Sequence, residues 1–448
     1  MYAISLMCSN RVDYFINTLQ AITKSAKKAI ENGCGEFALF IFQDDIEAKH
    51  DEVLEVARYI HKEIDTKTFP GPVIYFKNQR NYHIAAQWFR AIDFPLTMLD
   101  YDSVFIFEDD LVISEGYLET MVTLERKFRY DVRIGIFSCH NGVCRGAEPG
   151  YCRMGHDWGF GINKRVWADV RDLFIDYQNN FRFTSYADRN SAVIKKWVER
   201  IGCSWHDGHE GADSALEYIV AGLNKVRCAL RSNMAWPIGI SGIHFTPDVF
   251  HRMFDGLVVV DEACVNEFND ADFTNIFEHN LVLSYEKFNA YKAYLKTKNK
   301  VDDDSNLLQE LLPSGDYVLT FNRGNPLIKS TGFTHDWQSG PDGGLFFGPY
   351  VNLDVGSYII CIWADNELSC DITINAGIES VLGYSARMSE KVHVASFSLK
   401  KFSEKVEFLV KSNGANSISK IQLYKSSVDL FGYHSNWRYK SDNMPCLS

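Results

Sequence analysis

Three consecutive acidic residues, Glu108, Asp109 and Asp110, follow directly on an apolar run in this sequence. The run, residues 104–107, consists of valine, phenylalanine and isoleucine, and it predicts a buried strand that ends at the acids. Three carboxylates at the end of a buried strand repel one another and are costly to remove from water. They persist most naturally around a divalent cation or a pair of ribose hydroxyls. A solvated acidic turn is the alternative, and the triplet by itself fits both interpretations.

The elements that must position these acids come from an alternation of strands and helices in the first part of the chain. Apolar runs predict strands over residues 3–8, 37–42, 72–77 and 103–107, with amphipathic helices between them. This order predicts a largely parallel sheet with right-handed crossovers, whose ligands bind at the carboxyl ends of the strands. Three polar segments lie at such ends and predict one composite nucleotide site: Cys8-Ser9-Asn10-Arg11, Gln43-Asp44-Asp45 and the acidic triplet.

The second part of the chain has a different pattern. Residues 296–305 are polar and charged, and we interpret them as a linker. Beyond them, about seven short alternating runs separated by Gly, Asn, Asp and Pro predict an antiparallel sandwich. The predicted fold class is therefore α/β over residues 1–298, followed by an all-β sandwich domain over residues 306–448. Its aromatic residues fit glycan binding, and they equally fit ordinary packing or oligomerisation.

Composition limits the classes of partner. The 46 basic and 58 acidic residues give a net charge of −12, which argues against nucleic-acid binding and against a polybasic membrane binder. The 11 cysteines are odd in number and follow no disulfide framework, which favours a reduced protein. The amino terminus lacks signal-peptide features, and no apolar window is long enough to span a membrane. We therefore expect a cytoplasmic protein without a transmembrane segment, and leave open peripheral contact with the inner face of the membrane.

Several short motifs occur in the order found in a known enzyme family. They are Cys8-Ser9-Asn10-Arg11, Phe42-Gln43-Asp44, Tyr82-His83-Ile84-Ala85, Phe107-Glu108-Asp109-Asp110-Leu111, and Trp158-Gly159-Phe160-Gly161 with Val166-Trp167. With them, roughly the first 295 residues resemble the GT-A transferases of the N-acetylglucosaminyltransferase I type, glycosyltransferase family 13, and related bacterial enzymes. The resemblance implies a Rossmann-like GT-A domain with a mainly parallel sheet.

The resemblance also implies roles for the residues at the strand ends. Asp110 is the implied ligand of a divalent metal, Mn²⁺ or Mg²⁺, Asp109 meets the ribose, and Glu108 contacts the sugar or holds the loop. Asp44 accepts a hydrogen bond from the uracil. Cys8 and Ser9 lie beneath the nucleotide, and Arg11 neutralises the diphosphate beside a helix amino terminus. Arg80 is a further candidate for the diphosphate, although a solvated loop arginine is the more usual case.

An inverting transferase also needs a general base, and Asp213 is the candidate. It lies in the first turn of a predicted helix, at about the interval at which the family places its base. The family has Asp-Asp-Trp where this chain has Ala212-Asp213-Ser214, and helix capping is the alternative role for Asp213. His244 falls where many GT-A enzymes place a carboxy-terminal histidine, and it is either a second metal ligand or an ordinary packed histidine.

Together these features predict a metal-dependent inverting glycosyltransferase. It moves a sugar, N-acetylglucosamine by analogy, from a UDP-sugar donor to a glycan or glycolipid acceptor in bacterial surface-polysaccharide synthesis. A retaining GT-A transferase and a non-catalytic glycan-binding protein are the alternatives, and a homo-oligomer remains open. Zinc sites around His206–Glu210, or among Cys139, His140, Cys144, Cys152 and His156, are disfavoured because neither group has the usual ligand spacing.

Overall fold

The computed structural model of the chain describes residues 1–78, 81–142, 144, 146–180, 188–206, 211–240 and 246–301. Beyond these it describes the strands between residues 316 and 433, together with residue 402. The described residues divide into two compact units. The first contains those up to 301 except residues 64–67 and 71–77, which belong to the second unit with the strands beyond residue 316. The predicted boundaries 1–298 and 306–448 stay a prediction, because residues 302–315 lie outside the described part.

Ten α-helices occur among the described residues. They are α1 Val12–Glu31, α2 His50–Thr66, α3 His83–Asp93, α4 Tyr117–Phe128, α5 Lys164–Asn179, α6 Ser191–Arg200, α7 Ala212–Gly222, α8 Pro247–Phe254, α9 Asp270–Ile276 and α10 Tyr285–Val301. Short 3₁₀ turns cover Glu47–Lys49 and His279–Leu281, and a π-helical turn over Phe94–Met98 extends α3.

The strands up to residue 237 are β1 Tyr2–Cys8, β2 Phe37–Gln43, β3 Val73–Lys77, β4 Ser103–Glu108, β5 Leu111–Ile113, β6 Ile134–Ser138, β7 Tyr151–Arg153, β8 Phe160–Asn163, β9 Val226–Leu230 and β10 Ala235–Pro237. Those that follow are β11 Asp316–Asn322, β12 Gly344–Phe346, β13 Pro349–Leu353, β14 Gly356–Ala364, β15 Leu368–Ile374, β16 Glu379–Val381, β17 Gly383–Arg387, β18 Val392–Leu399, β19 Ser403–Ser412, β20 Ile418–Ser426 and β21 Asp429–Tyr433.

The first unit is built on a sheet with the strand order β2-β1-β4-β8-β6-β9-β7. Strand β1 is parallel to both β2 and β4, and all residues of β1 and β2 are buried, as continuous apolar runs in a sheet covered on both faces should be. The α/β prediction is confirmed. Strands β8 and β7 run antiparallel to their neighbours, which the sequence pattern did not predict.

Two features of the first unit position its polar residues. The parallel pairing brings the carboxyl ends of β1, β2 and β4 to one edge of the sheet, as predicted. A separate antiparallel pair, β5 with β10, follows the acidic triplet and places Pro237 opposite Leu111. The segment after β10 is thereby held against the acids, because the Ile238 N–H donates to the Asp110 carbonyl at 2.8 Å.

The second unit is all-β apart from the short segment at residues 64–67. Strands β11, β20, β14, β18 and β17 form one antiparallel sheet, and β12, β13, β19, β15 and β16 form another. Side chains of both sheets share one hydrophobic cluster, in which Tyr358 and Ile360 of β14 meet Phe408 and Val410 of β19. Strand β3 belongs to this unit and pairs antiparallel with β21.

None of the helices that the structure describes is both long enough and apolar enough to cross a membrane.

Candidate functional site

The polar residues predicted to act together do converge at the ends of β1, β2 and β4. In the sheet register, Met7 lies opposite Glu108 and Cys8 lies opposite Gln43, so the segments that follow each strand start from the same edge. The Gln43 side chain, fully buried, donates to the carbonyl of Ser9 at 2.8 Å and so ties the turn after β1 to β2. This edge is the candidate site.

Arg11 is the residue that joins the turn after β1 to the acidic triplet. Its guanidinium donates to Asp110 at 2.8 Å and also to Asp109. Arg11 is also the N-cap residue of α1, so its charge stands beside the positive end of a twenty-residue helix. Although burial lowers the pKa of Arg11, its two carboxylate partners outweigh that effect and raise it. The guanidinium is therefore held as a fixed cation.

One cation does not compensate the negative charge of the triplet. Burial, followed by the charge of Asp110, raises the pKa of Glu108 well above the usual range of a glutamate. Burial also raises the pKa of Asp109, against the lowering effect of Arg11. Carboxylates in this state gain from further positive charge, as a divalent cation would supply.

The donor set fits a metal held partly by its substrate. No group of three or more His, Cys, Asp or Glu side chains is arranged to hold a metal ion among the described residues. Mg²⁺-type sites commonly use one or two carboxylates and complete their shell with substrate phosphates and water. Asp110, with 21% of its side chain exposed, is the member of the triplet suited to such a ligand, because Asp109 is 4% exposed.

Asp44 has a structural role that the sequence did not reveal. Its carboxylate accepts hydrogen bonds from the backbone N–H groups of Tyr82 and His83 at 2.7 and 2.8 Å, at the start of α3. Asn78 donates to it at 2.9 Å. Burial raises the pKa of Asp44 while these bonds lower it, with a net upward shift. Asp44 therefore closes the amino terminus of α3, and most of its acceptor capacity is used within the protein.

Cys8 and Ser9 both contact the acidic residues of the site. The Ser9 backbone N–H donates to the Asp109 carboxylate, and the Ser9 hydroxyl donates to the Asp44 carbonyl at 3.3 Å. Burial raises the pKa of the Cys8 thiol well above its usual range, and the charges of Asp109 and Asp44 raise it further. The thiol is therefore neutral at neutral pH, so Cys8 is not poised as a thiolate nucleophile.

Asp213 lies in the first turn of α7, exposed, about a hundred residues along the chain from the triplet. Its charge acts on Glu108, which brings it within electrostatic range of the acidic turn. Gly211 makes room for its carboxylate, because a Cβ at residue 211 would lie 1.9 Å from Asp213 Oδ1. Asp213 is thus an exposed carboxylate whose position at the start of α7 depends on the missing side chain of Gly211.

Helix α7 also contributes Glu217 to an ion cluster, which we define as Arg153, Asp157, Glu217, Arg227 and Glu278. The Arg153 side chain is 52% exposed, whereas those of the other four members are at most 9% exposed. Arg227 donates to Asp157 at 2.7 Å, and a second nitrogen of its guanidinium lies 2.7 Å from Glu217 Oε1. Glu217 stands one turn after Asp213 on α7 and also accepts from Arg153 at 2.9 Å. The cluster therefore fixes the start of α7 to strand β9.

Asp157 is the member of the ion cluster with an unusual protonation state. Its Oδ2 is buried and has no hydrogen-bond partner among the described residues. Burial raises the pKa of Asp157 to about 7, with Arg227 lowering it and the charge of Asp213 raising it. Near neutral pH, Asp157 therefore holds a proton part of the time.

Several sequence candidates lie elsewhere. His244, Arg80 and the residues 207–210 of the disfavoured His206–Glu210 group lie outside the described residues. Of the second disfavoured zinc group, His140 is buried, and burial lowers its pKa to about 3. No metal-binding group forms among its described members.

No protein-family model matches this chain, and no curated protein matches it. Among solved structures, the glycosyltransferase GlyE of Streptococcus pneumoniae TIGR4 is similar at 13% identity with a TM-score of 0.25, over 48% of this chain and 42% of that one. A UDP-glucose pyrophosphorylase complexed with UDP-glucose is similar at 13% identity with a TM-score of 0.23, over 39% of this chain and 79% of that one. The chain spans less than half the length of GlyE. Likenesses this distant assign neither a family nor a function, and they leave the resemblance to family 13 without support.

Sequence reasoning missed the segment between β7 and β8. The sequence predicts His156 only as a member of a disfavoured zinc cluster, and it indicates no role for Asp157, Glu217 or Arg227. The sequence does carry one signal, since two titratable residues stand directly before Trp158 in the Trp158-Gly159-Phe160-Gly161 motif. Their proximity to Asp213 is a long-range property of the fold, which no local spacing reveals.

Proposed function

We propose that this chain is a sugar-nucleotide-dependent glycosyltransferase whose donor binds at the ends of β1, β2 and β4. The observation that carries the proposal is the joining of Arg11 to Asp109 and Asp110 within electrostatic range of Asp213. A cation beside a helix amino terminus suits a diphosphate, and surplus carboxylates beside it suit a divalent metal and ribose hydroxyls. An exposed carboxylate close by suits deprotonation of an acceptor.

In the proposed reaction, this chain's residues bind the donor and receive a proton. Arg11 and the amino terminus of α1 bind the diphosphate, and Asp109 binds the ribose. Asp110 is the proposed protein ligand of Mn²⁺ or Mg²⁺, which, when bound, offsets the charge of the leaving nucleotide diphosphate. The acceptor hydroxyl oxygen forms a bond to the anomeric carbon as the bond from that carbon to the diphosphate oxygen breaks. The electron pair leaves with the diphosphate, and the hydroxyl proton passes to Asp213.

The finer assignments belong to the same proposal. UDP is the proposed nucleotide, an inverting displacement the proposed stereochemistry, and a glycan or glycolipid the proposed acceptor. In this proposal Asp44 shapes the base pocket from the start of α3, because its carboxylate already serves Asn78 and two backbone N–H groups. A remaining lone pair leaves room for one bond to uracil.

The test of this proposal is calorimetric titration of the full chain with UDP, with and without Mn²⁺. We expect binding that requires the metal and is lost, by tenfold or more in Kd, in Asp110→Ala. Asp270→Ala is the matched control, since Asp270 also pairs with an arginine, Arg133, at 2.7 Å, but is 99% exposed. Absence of UDP binding under both conditions contradicts the nucleotide assignment. Binding that is unchanged in Asp110→Ala contradicts the metal role of Asp110.

Measurements on the same full chain distinguish two alternative functions. If the chain is a non-catalytic glycan-binding protein, it binds glycans while failing to bind UDP in the presence of Mn²⁺. A retaining transferase instead binds UDP as proposed and gives a product with the donor's anomeric configuration, which NMR of the product resolves. Arg11 at the amino terminus of α1 favours the transferase over the glycan-binding protein, because a cation beside a helix amino terminus suits a diphosphate, which a neutral glycan lacks.

A further inference from the structure

Hydrogen bonds connect a buried cation to the carboxylate of Asp44. Arg90 lies on α3 and is fully buried, and its Nη1 donates to the side-chain oxygen of Asn78. Asn78 Nδ2 in turn donates to Asp44 Oδ1 at 2.9 Å. We define these three side chains, Arg90, Asn78 and Asp44, as the relay. None of them is more than 7% exposed, so the relay is shielded from water.

The direction of the hydrogen bonds in the relay is fixed by Arg90. A guanidinium offers only donors, so the Asn78 atom that faces it must be the oxygen Oδ1. The amide nitrogen of Asn78 is thereby turned towards Asp44, which has to accept. The Nε and Nη2 atoms of Arg90 have no hydrogen-bond partner among the described residues, and the guanidinium lies over the ring of Tyr82 at 4.8 Å from its centroid. Through Asn78, Arg90 therefore supports an Asp44 that accepts hydrogen bonds.

Among the described residues, the contacts of Asp44 leave one acceptor position. Its Oδ1 accepts from Asn78 and from the Tyr82 N–H at 2.7 Å, and its Oδ2 accepts from the His83 N–H at 2.8 Å. A carboxylate has about four lone-pair positions, so Oδ2 retains one. An ionised carboxylate can only accept. The remaining position therefore suits a ligand N–H and repels a ligand nitrogen that carries a lone pair.

The ionised state of Asp44 depends on the relay because burial opposes it. Burial raises the pKa of Asp44, whereas the bonds from Asn78 and from the backbone at the start of α3, together with the charge of Arg90, lower it. Burial also lowers the pKa of Arg90, to about 10, so the guanidinium is still a cation at neutral pH. From β1, the thiol of Cys8 also acts on Asp44, and burial keeps that thiol neutral. Arg90 is thus the cation that favours the carboxylate form of Asp44.

We propose that Arg90 and Asn78 keep Asp44 an ionised acceptor and thereby make the donor site select uracil over cytosine. The inference rests on the proposed function and deepens it. Uracil presents an N–H at its ring nitrogen N3, whereas cytosine presents a lone pair there, so only uracil can donate to the remaining position of Asp44. A buried site built to receive a hydrogen bond discriminates strongly against a ligand that cannot make it. Arg90 and Asn78 are positioning residues in this scheme, acting through Asp44.

The first test needs no ligand. ¹³C NMR of the aspartate carboxyl groups, with Asp44 assigned by Asp44→Asn, follows its titration in the full chain. We expect the pKa of Asp44 to lie above the ordinary value and to rise further in Arg90→Met, because the cation that favours the carboxylate is lost. Arg90→Lys keeps the charge and should give a smaller rise. Arg133→Met, which removes a cation paired with the exposed Asp270, is the control and should leave Asp44 unchanged. An unchanged Asp44 titration in a folded Arg90→Met variant overturns the relay.

Asn78→Ala tests the relay from its other end. This substitution removes the amide that joins the two charged groups and leaves Arg90 in place. We expect the pKa of Asp44 to rise here too, because a hydrogen bond to its carboxylate is lost. If Arg90→Met does not fold, this variant decides the question, and an Asp44 titration that it leaves unchanged overturns the relay.

The second test measures nucleotide selectivity, by calorimetric titration of the full chain with UDP and with CDP in the presence of Mn²⁺. At about pH 7.5 we expect a preference for UDP of about tenfold or more. The preference should fall as pH is lowered towards about 5.5, because a protonated Asp44 can donate to the cytosine nitrogen. In Arg90→Met this fall should occur at higher pH. The ratio of the two affinities is the readout, since general damage to the site weakens both nucleotides alike. The same pH profile of this ratio in Arg90→Met and the unsubstituted chain overturns the inference.

These tests separate failure of the relay from failure of the proposed function. Metal-dependent binding of UDP without a preference over CDP leaves the proposed nucleotide site standing and overturns the selectivity. Absence of binding of both nucleotides contradicts the proposed function and the selectivity with it, whereas the NMR titration still decides whether Arg90 and Asn78 support Asp44.

Discussion

Arg11 bonds to two carboxylates at once, and this geometry distinguishes it from a general positive charge. A planar guanidinium offers several donors in fixed directions, whereas a lysine ammonium is a compact point charge on a flexible stem. The bonds to Asp109 and Asp110 therefore set the positions of both acids relative to α1. A substitution at Arg11 that keeps the positive charge but loses the planar arrangement of donors separates the two effects.

We predict that Arg11→Lys weakens binding of UDP and Mn²⁺ by about tenfold, because one charge-assisted bond to the acids is lost and is worth roughly 1.5–3 kcal/mol. Calorimetry of UDP with Mn²⁺ measures the change. Arg133→Lys, on a surface pair, is the control. Equal affinity of Arg11→Lys and the unsubstituted chain would show that only the charge of Arg11 matters.

Asp157 provides a prediction about pH. Its carboxyl has a pKa of about 7 in the folded protein, mainly because it is buried, and an ordinary low value when unfolded. Between about pH 4 and 7 the folded state therefore binds the extra proton, so this residue's contribution to stability falls as pH rises, by at most about 1.4 kcal/mol per pH unit.

We expect Asp157→Asn to remove that part of the pH dependence. An asparagine oxygen still accepts from Arg227, and its neutral amide replaces a carboxylate oxygen that has no partner among the described residues. Relative to the unsubstituted chain, the variant should gain stability as pH rises from 4.5 to 7.5 in chemical denaturation. Asp270→Asn, at a 99% exposed position, should show no such gain. A constant difference across this range would contradict the raised pKa.

At the scale of elements, strand pairing decides which acids meet. The pair β5 and β10 lays residues 238 and 239 along Asp110, and Gly239 has no room for a side chain there, since a Cβ would lie 2.5 Å from Asp110 Oδ2. Glycine fits residue 239 because Asp110 approaches its backbone closely, and not because the backbone there is strained. A single methyl group at this position therefore tests whether the orientation of Asp110 matters.

We predict that Gly239→Ala displaces the Asp110 carboxylate and weakens metal-dependent UDP binding by about tenfold or more, since a displacement near 1 Å in a site costs up to about 10²-fold. Gly146→Ala is the matched control, because its nearest neighbour is a flexible Glu148 carbon at 3.8 Å. UDP binding in the presence of Mn²⁺, measured by calorimetry, reports the outcome. Unchanged binding in a folded Gly239→Ala variant would mean that Asp110 does not act in the orientation seen here.

The ion cluster positions α7, as the pairing of β5 with β10 positions the segment beside Asp110. Arg227 is 5% exposed and pairs with both Asp157 and Glu217. Removing one member of a buried pair leaves an uncompensated charge, so we expect Arg227→Met to cost about 3–5 kcal/mol of unfolding free energy. Adding Glu217→Gln should restore part of that loss. Arg133→Met, at a 28% exposed arginine, should cost about 1 kcal/mol or less. Similar costs for the two arginines in denaturant unfolding would contradict the buried role.

The secondary-structure elements also show which features of the fold and the site can be predicted from the sequence. Apolar runs predicted β1, β2 and β4 closely, and parallel pairing then forces Cys8, Asp44 and Asp109 to one edge, because strand polarity leaves no other place for the residues that follow. The capping of α3 by Asp44 and the approach of Asp157 to Asp213 were not predictable in this way. Each depends on contacts between residues from about 40 to more than 50 positions apart, which local periodicity does not encode.

At the scale of the whole molecule, ligand binding and stability are linked. A ligand that binds only the folded chain stabilises it by about 2.7 kcal/mol at a hundredfold excess over its Kd. The residues of the proposed donor site come from the turns after β2, β1 and β4, which are neighbouring strands of the first unit's sheet. A ligand bound there should therefore stabilise the sheet itself against unfolding, rather than only a surface loop.

We predict that UDP with Mn²⁺ raises the Tm of the full chain by several degrees, on the usual scale of about 2–4 °C per kcal/mol for 150–250 residues. UDP alone and Mn²⁺ alone should give smaller shifts than the two together, because the diphosphate and Asp110 are proposed to share one metal. The Asp110→Ala variant should lose this synergy while keeping the Tm of the free chain within a few degrees. If glycans raise the Tm while UDP with Mn²⁺ leaves it unchanged, the binding function lies with glycans alone, and the surplus acids around Arg11 then need a different explanation.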